Sequence, residues 1–323
     1  MKNTLIGAVV FMTSAISAQA QTAVNMIGFG GGTNLPVWSA IDRGFFEKEG
    51  LKVSLDRTPG SLEQIRDLMS GKYQFATTAF DNIVAHTEGQ GSAKYDDFDL
   101  VAIGGVHSGL NSVMGSKDVK TFADIKGKAV SVDSPTSGYA TVLYQILQNK
   151  GILKERDYKI ISVGGTGARV QSLKDGSAGM AIVSSPEDME LKKEGYNLLA
   201  DAAVEIGAYQ GSVYATRRSY AKTNDKEVQA FMRAMVRAHD FVFSDKAGAI
   251  AVLKGRIKGI SDEAAEDMWT RLTGPGGLNP GAAVNEKGVD MVLQLRSVYG
   301  DSKVPNAPGS KYMELGWQKA ATK

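Results

Sequence analysis

The chain has 323 residues, with 37 basic and 35 acidic side chains and no cysteine. That length suits two domains of ordinary size, each with its own core. A net charge of +2 without clustered basic runs argues against nucleic acid and against a membrane-surface role, and the missing cysteines exclude disulfides and an N-terminal lipid anchor.

Residues 1–20 open with Lys2, continue through an apolar run from Leu5 to Met12 and end on Ala18-Gln19-Ala20. These are the three regions of a cleaved signal peptide. The apolar run is too short to span a bilayer. Cleavage leaves 303 residues, 36 of them basic and 35 acidic, and no later transmembrane stretch. The mature chain is therefore expected to be soluble. An exported chain without a lipid anchor has to be retained by an outer envelope, which points to a Gram-negative periplasm.

From Val24 to about Val213, short apolar strands alternate with helical stretches that end in glycine. The pattern predicts strands at Asn25–Phe29, Lys52–Asp56, Tyr73–Thr77, Asp99–Ile103, Ala129–Val132, Lys159–Val163, Gly179–Val183 and Ser212–Thr216. Helices are predicted to start near Leu35, Ser61, Asp81, Thr121, Tyr139, Ala168 and Pro186. Such alternation implies mostly parallel sheets flanked by helices. Ser61 with Gln64 and Thr121 with Asp124 fit capping boxes, and Pro186 sits where a first-turn proline belongs. After Thr216 the pattern turns helical: Asp225–Ser244, then shorter helices near 262–272 and 285–298. Pro305–Gly309 reads as a connector before a last turn around Trp317.

Two stretches echo each other at an offset of 105 residues. Ile65 through Ala76 and Val170 through Ala181 both read as an amphipathic helix, a glycine stop and a buried strand running into a polar loop. The echo suggests one lobe near 24–106 and a second near 108–210.

Open parallel sheets bind ligands outside the carboxyl ends of their strands. Five post-strand loops stand out: Gly30–Trp38, Thr77–Asn82, Val106–Leu110 with His107, Asp133–Tyr139 and Gly164–Arg169. Ser184–Pro186, with Ser185, is a sixth. The loop Asp133–Tyr139 carries Ser134, Thr136, Ser137 and Gly138 into a helix start, where hydroxyls and free N–H groups favour a carboxylate, sulfonate or phosphate. Simple capping by Ser134 or Thr136 is the competing reading. Gly32, Thr33 and Asn34 follow the first strand. There the glycines let backbone come close, and the spacing is not the dinucleotide fingerprint. Thr166 and Arg169 form a second anion-like nest, although such an arginine is more often a solvated surface residue. Trp38, Phe80, Tyr139 and Tyr209 sit at loop edges where an aromatic can stack on an organic solute or simply pack.

Three stretches together resemble the NMT1/THI5-like family of bacterial solute-binding proteins that serve sulfonate, nitrate, taurine and thiamine-precursor importers. They are Gly44-Phe-Phe-Glu-Lys-Glu-Gly-Leu-Lys-Val53, Ala168–Pro186 and Ser134–Tyr139, over essentially the whole mature chain. The resemblance implies an α/β, type II two-lobed periplasmic binding protein fold, with a mostly parallel sheet in each lobe and the ligand cleft between them. The implied division is a signal peptide at 1–20, a discontinuous first lobe of 21–107 plus 212–323 with the C-terminal helices packed on it, and a second lobe of 108–211. It places Thr78, Phe80, Asp81 and Asn82 where the family contacts its solute, Asp81 being equally readable as a helix cap. It implies a monomer that captures a small organic solute, sulfonate- or carboxylate-like, and passes it to an ABC permease and ATPase at the inner membrane, without cofactor, metal or catalytic residue.

Family relatives that make the thiamine pyrimidine are enzymes with a lysine-bound cofactor, an active-site histidine and cysteine-rich iron binding. This chain has no cysteine, its three histidines (His86, His107, His239) are well separated, and no pair has metal-ligand spacing. No nucleophile elbow is present either. A soluble receptor for a membrane sensor remains the other alternative.

Overall fold

The computed structural model describes residues 21–109, 111–300 and 307–323. The signal-peptide expectation at 1–20, Leu110, and Pro305 and Asn306 of the Pro305–Gly309 connector lie outside the described residues. Among the described residues ten strands form two sheets. β1 (Thr22–Gly28), β2 (Leu51–Arg57), β3 (Phe75–Ala79), β4 (Leu100–His107) and β10 (Ser212–Arg217) are ordered β2-β1-β3-β10-β4. β5 (Asn111–Gly115), β6 (Ala129–Val132), β7 (Lys159–Ser162), β8 (Met180–Ser184) and β9 (Asn197–Asp201) are ordered β7-β6-β8-β5-β9. In each sheet one strand, β10 or β5, runs against the other four. The architecture is the expected α/β two-sheet fold. No helix of the described residues is long and apolar enough to cross a membrane.

The 105-residue echo has a structural counterpart. β3 and β8 hold the same central place in their sheets, with Phe75 beside Met26 of β1 and Met180 beside Val130 of β6. The helices that precede them, Ser61–Met69 and Thr166–Lys174, end before Gly71 and Gly176, both at positive φ.

The segment from Trp38 to Leu55 folds as Leu35–Asp42, a break at Gly44, a single turn Phe45–Lys48 and then β2. Gly44 and Gly50 have φ of 68° and 76°, values that a side chain resists. Phe46 enters the first core, stacked on Phe231, and Phe75 also stacks on that ring at 3.9 Å. Phe231 belongs to the helix Asp225–Ser244, which buries Val228, Met232, Met235 and Val236 with it, as its apolar spacing predicts.

Several local expectations need correction. β5 and β9 escaped the pattern: Asn-Ser-Val-Met-Gly is too polar and Asn197–Asp201 is a half-exposed edge strand. The Ser61–Gln64 capping box is absent. Gly60 is the N-cap, and the buried Gln64 amide turns inward to donate to the Thr77 carbonyl at 3.0 Å. The Thr121–Asp124 box forms, but on a 3-10 turn rather than an α-helix. The C-terminal helices do not all pack on the first sheet alone. Glu286–Tyr299 lies between Phe80–Thr87 and the second-sheet helix Gly138–Asn149, with the Tyr299 ring against Tyr144.

The chain passes between the sheets twice, after β4 and after β9, and the described residues of the two crossings lie side by side. The His107 carbonyl accepts from Gly211 N and Gln210 Nε2 at 3.0 and 3.2 Å. Ser108 N donates to Gly277, and Asn285 N donates to Gln210 Oε1 at 2.7 Å.

Candidate functional site

Loops from the carboxyl ends of both sheets meet between them. After β1, Asn34 is buried and folds back to donate to the Phe29 and Gly31 carbonyls, which rounds the Gly30–Asn34 loop. Gly32 and Thr33 then line a cavity of about 10 Å³ together with Ser185 of the opposite sheet and Met268, Arg271 and Leu272 of the helix Asp262–Thr273. That is room for about one water. Trp38 lies away from this meeting point and packs on the first core.

After β3, Thr78 is buried and accepts from Asn82 Nδ2 at 3.1 Å. Phe80 is fully buried with its ring edge-on to Tyr312, so it is a core residue and not a stacking platform. Asp81 caps nothing. Its carboxylate is gripped by Nε and Nη2 of the fully buried Arg296, while Arg296 Nη1 has no hydrogen-bond partner. Asp81 faces the other lobe: a Cβ added to Gly138 would fall 2.6 Å from its Cβ.

On the second sheet, Ser137 is the cap of Gly138–Asn149, accepting from Ala140 N at 3.2 Å and donating to Asp133. The capping role therefore falls to Ser137, not to Ser134 or Thr136, which stay half-buried on the same loop. Tyr144 pins that loop by donating to the Pro135 carbonyl at 3.0 Å. Arg169 is not a solvated face residue. It lies buried beneath the loop, 3.6 Å from Asp133, and donates to Thr166 Oγ1 at 3.0 Å. Its Nε has no partner. Burial pulls the guanidinium down from its ordinary value, and the Asp133 charge opposes that. Tyr139 reaches toward Ser212 and Asn111, and burial raises its hydroxyl. Its ring is 6.4 Å from that of Tyr209, itself buried against Gly109.

The structure thus brings Gly32, Thr33 and Ser185 to one place and Asp81, Gly138, Tyr139 and Tyr209 to a neighbouring one. Trp38 and Phe80 belong to the cores. His107 belongs to the crossings: its buried Nδ1 accepts from Gly109 N at 3.1 Å, and burial holds the ring down at about 4. Four participants were not found by loop logic: Ser112, Asp188, Arg271 and Arg296. The last two arrive from C-terminal helices rather than from post-strand loops, and only the basic residue in a helix otherwise packed by apolar side chains hinted at either. Among the described residues no group of three or more His, Cys, Asp or Glu could hold a metal ion.

The model of the family described as NMT1/THI5 like matches residues 33–249. A 4-amino-5-hydroxymethyl-2-methylpyrimidine phosphate synthase of Uromyces fabae is 24% identical over 68% of this chain. The chain spans about 65% of that relative's length. The putative binding protein YtlA of Bacillus subtilis (strain 168) is 21% identical over 82% of this chain and 80% of its own length. Among solved structures, the periplasmic nitrate-binding protein NrtA from Synechocystis PCC 6803 superposes with a TM-score of 0.79 over 94% of this chain and 88% of its own, at 14% identity. The alkanesulfonate-binding protein SsuA from Xanthomonas axonopodis pv. citri, bound to MOPS, gives 0.70 over 90% and 97%, at 18% identity. These structural likenesses show the periplasmic binding protein fold. With more than half of its length matched by the family model, the chain belongs to the NMT1/THI5-like family.

Proposed function

We propose that this protein is the periplasmic substrate-binding component of an ABC importer. It captures a small organic solute between its lobes and hands it to a membrane permease and ATPase, as a monomer and without chemistry. The observation that carries the reading is the meeting of Gly32 and Thr33 of the first lobe with Ser185 of the second. A solute admitted between these loops when the lobes part touches both lobes only as they close on it, so binding shifts the lobes toward closure. The division into 21–107 plus 212–323 and 108–211 follows the two crossings.

The solute carries a carboxylate- or sulfonate-like group held mainly by neutral donors: the start of Gly138–Asn149 and the hydroxyls of Thr33, Ser134 and Thr136, with Ser185, whose own hydroxyl donates to Asp188, lining the site. Arg169 contributes little net charge because Asp133 stands beside it. The solute-binding names of NrtA and SsuA agree with this class. A binding role, rather than the synthase activity named for the fungal relative, is supported by all three histidines being buried away from the cleft, His86 against Phe98, His239 against Tyr214 and His107 at a crossing.

A thermal-shift panel of sulfonates, carboxylates, nitrate and pyrimidines tests both levels. A solute at a hundred times its Kd adds about 2.7 kcal/mol of stability. Stabilisation by neutral or cationic compounds alone overturns the anionic class. If nothing stabilises the protein and native mass spectrometry finds no co-purified solute, the binding role itself fails.

A further inference from the structure

The second lobe holds a buried carboxylate, Asp188, whose one contacting cation among the described residues comes from the first lobe. Asp188 accepts from Ser112 Oγ at 2.6 Å, from Ser185 Oγ at 2.7 Å and from Met189 N at 2.9 Å. All three donors are on its own lobe, and its side chain is 3% exposed. Its one ion-pair partner among the described residues is Arg271, with Nη2 at 3.1 Å. The same nitrogen donates to Ser112 Oγ at 2.7 Å and lies 3.6 Å from Asp201 at the end of β9. Arg271 sits on the helix Asp262–Thr273, which is anchored to the first core by Ala265, Met268 and Leu272 and by Trp269 Nε1 donating to the Val242 carbonyl at 2.9 Å.

We infer that Asp188, Ser112 and Asp201 form a guanidinium seat, and that Arg271 is a latch that engages it across the cleft and biases the lobes toward closure without any solute. The seat is assembled entirely within the second lobe, so it persists when the lobes part. A buried carboxylate left without its cation is costly, whereas Arg271, 24% exposed even when engaged, returns to water easily. The pair is therefore worth more in the closed arrangement than in the open one, and a contact of that kind moves the equilibrium. Nη2 alone makes all three contacts and Nε has no hydrogen-bond partner, so the seat uses one charged terminal nitrogen at the end of a long side chain, and a lysine, with a shorter reach, keeps the charge but fits the position less well.

The latch rests on the two-lobe reading but not on the identity of a solute, so its test contains none. Small-angle scattering of the full mature chain, dialysed free of solute, compares wild type with Arg271→Ala, Arg271→Lys and Asp188→Asn. Arg271→Ala is expected to lower the closed-to-open ratio on the order of tenfold, seen as a larger radius of gyration. Arg271→Lys is expected to fall between it and wild type. Should Arg271→Ala fail to fold, the isosteric Asp188→Asn reads the same equilibrium. Wild type and the folded variants scattering identically, whether all compact or all expanded, overturns the latch. A protein that binds none of the solute panel yet opens on Arg271→Ala keeps the latch and loses the transport role.

Discussion

Gly138 stands directly against Asp81 across the cleft: a Cβ on residue 138 would lie 2.6 Å from the Asp81 Cβ and 2.9 Å from its Oδ2. The first residue of one lobe's helix thus touches a carboxylate that Arg296 fixes in place on the other. The absence of a side chain at 138 is what lets the lobes come this close.

Gly138→Ala is accordingly expected to leave each lobe folded, because alanine is at home in a helical turn. The overpacking falls on closure alone, at about 1–3 kcal/mol. The expected result is a solute affinity lower by about tenfold or more with an unchanged or slightly raised melting temperature without solute. Calorimetric titration with the solute identified by mass spectrometry decides it; an unaltered Kd sinks the idea.

The Asp81–Arg296 pair is almost wholly buried on both sides. Asp81→Leu or Arg296→Met alone strands one charged partner in the interior and is expected to destabilise by about 3–5 kcal/mol. An apolar double replacement, Asp81→Leu with Arg296→Met, should cost clearly less than the two single changes added together. Urea midpoints of the four proteins give the cycle, and simple additivity would show that the pair is not coupled.

Asp133 masks Arg169 at 3.6 Å. Asp133→Asn removes the masking charge while keeping the side chain's size. If the solute is an anion, its affinity should rise, by up to about tenfold on the order of one well-placed charge contact. A fall in affinity would mean that the cleft recognises a cation or a neutral donor through Asp133 itself.

His107 and His239 are both buried, and burial holds each ring at about 4, below the ordinary value of about 6.5. Between those two values the unfolded chain binds protons that the folded chain refuses, so stability rises with pH across the window. The stability is fully present above about pH 6.5 and is lost on acidification toward about pH 4, by a few kcal/mol for the two rings together. Urea midpoints at pH 7.5 and at pH 5 should differ in that direction. In His239→Gln the slope should shrink by about half, and an undiminished slope would assign the acid sensitivity to carboxylates instead.

Much of the scaffold was legible because apolar period and glycine stops act locally. The helix Asp225–Ser244 and the strand Ala129–Val132 were read at their true bounds. β5 and β9 were missed because their place depends on partners 65 to 89 residues away in sequence, and a short polar strand carries no periodic signal of its own. The site divided along the same line. Thr33, Ser185, Gly138 and Tyr139 stand at the ends of strands or the starts of helices, where topology alone points. Phe80 looked like a loop-edge aromatic until Tyr312 closed over it, and Arg271 and Arg296 reach the cleft from helices whose docking no local pattern encodes.

The two sheets share one strand order, yet the chain completes them at different times. β5 through β9 are contiguous, so the second sheet has every strand once residue 201 exists. β4 obtains its partners only later, from β10 and from the bridge between Ala102 and Met313. In a chain delivered from its N-terminus, the lobe that emerges first is therefore finished last. Until residues 212–217 arrive, its β3 and β4 are open edges, the condition in which nascent sheets are most prone to pairing with the wrong strand.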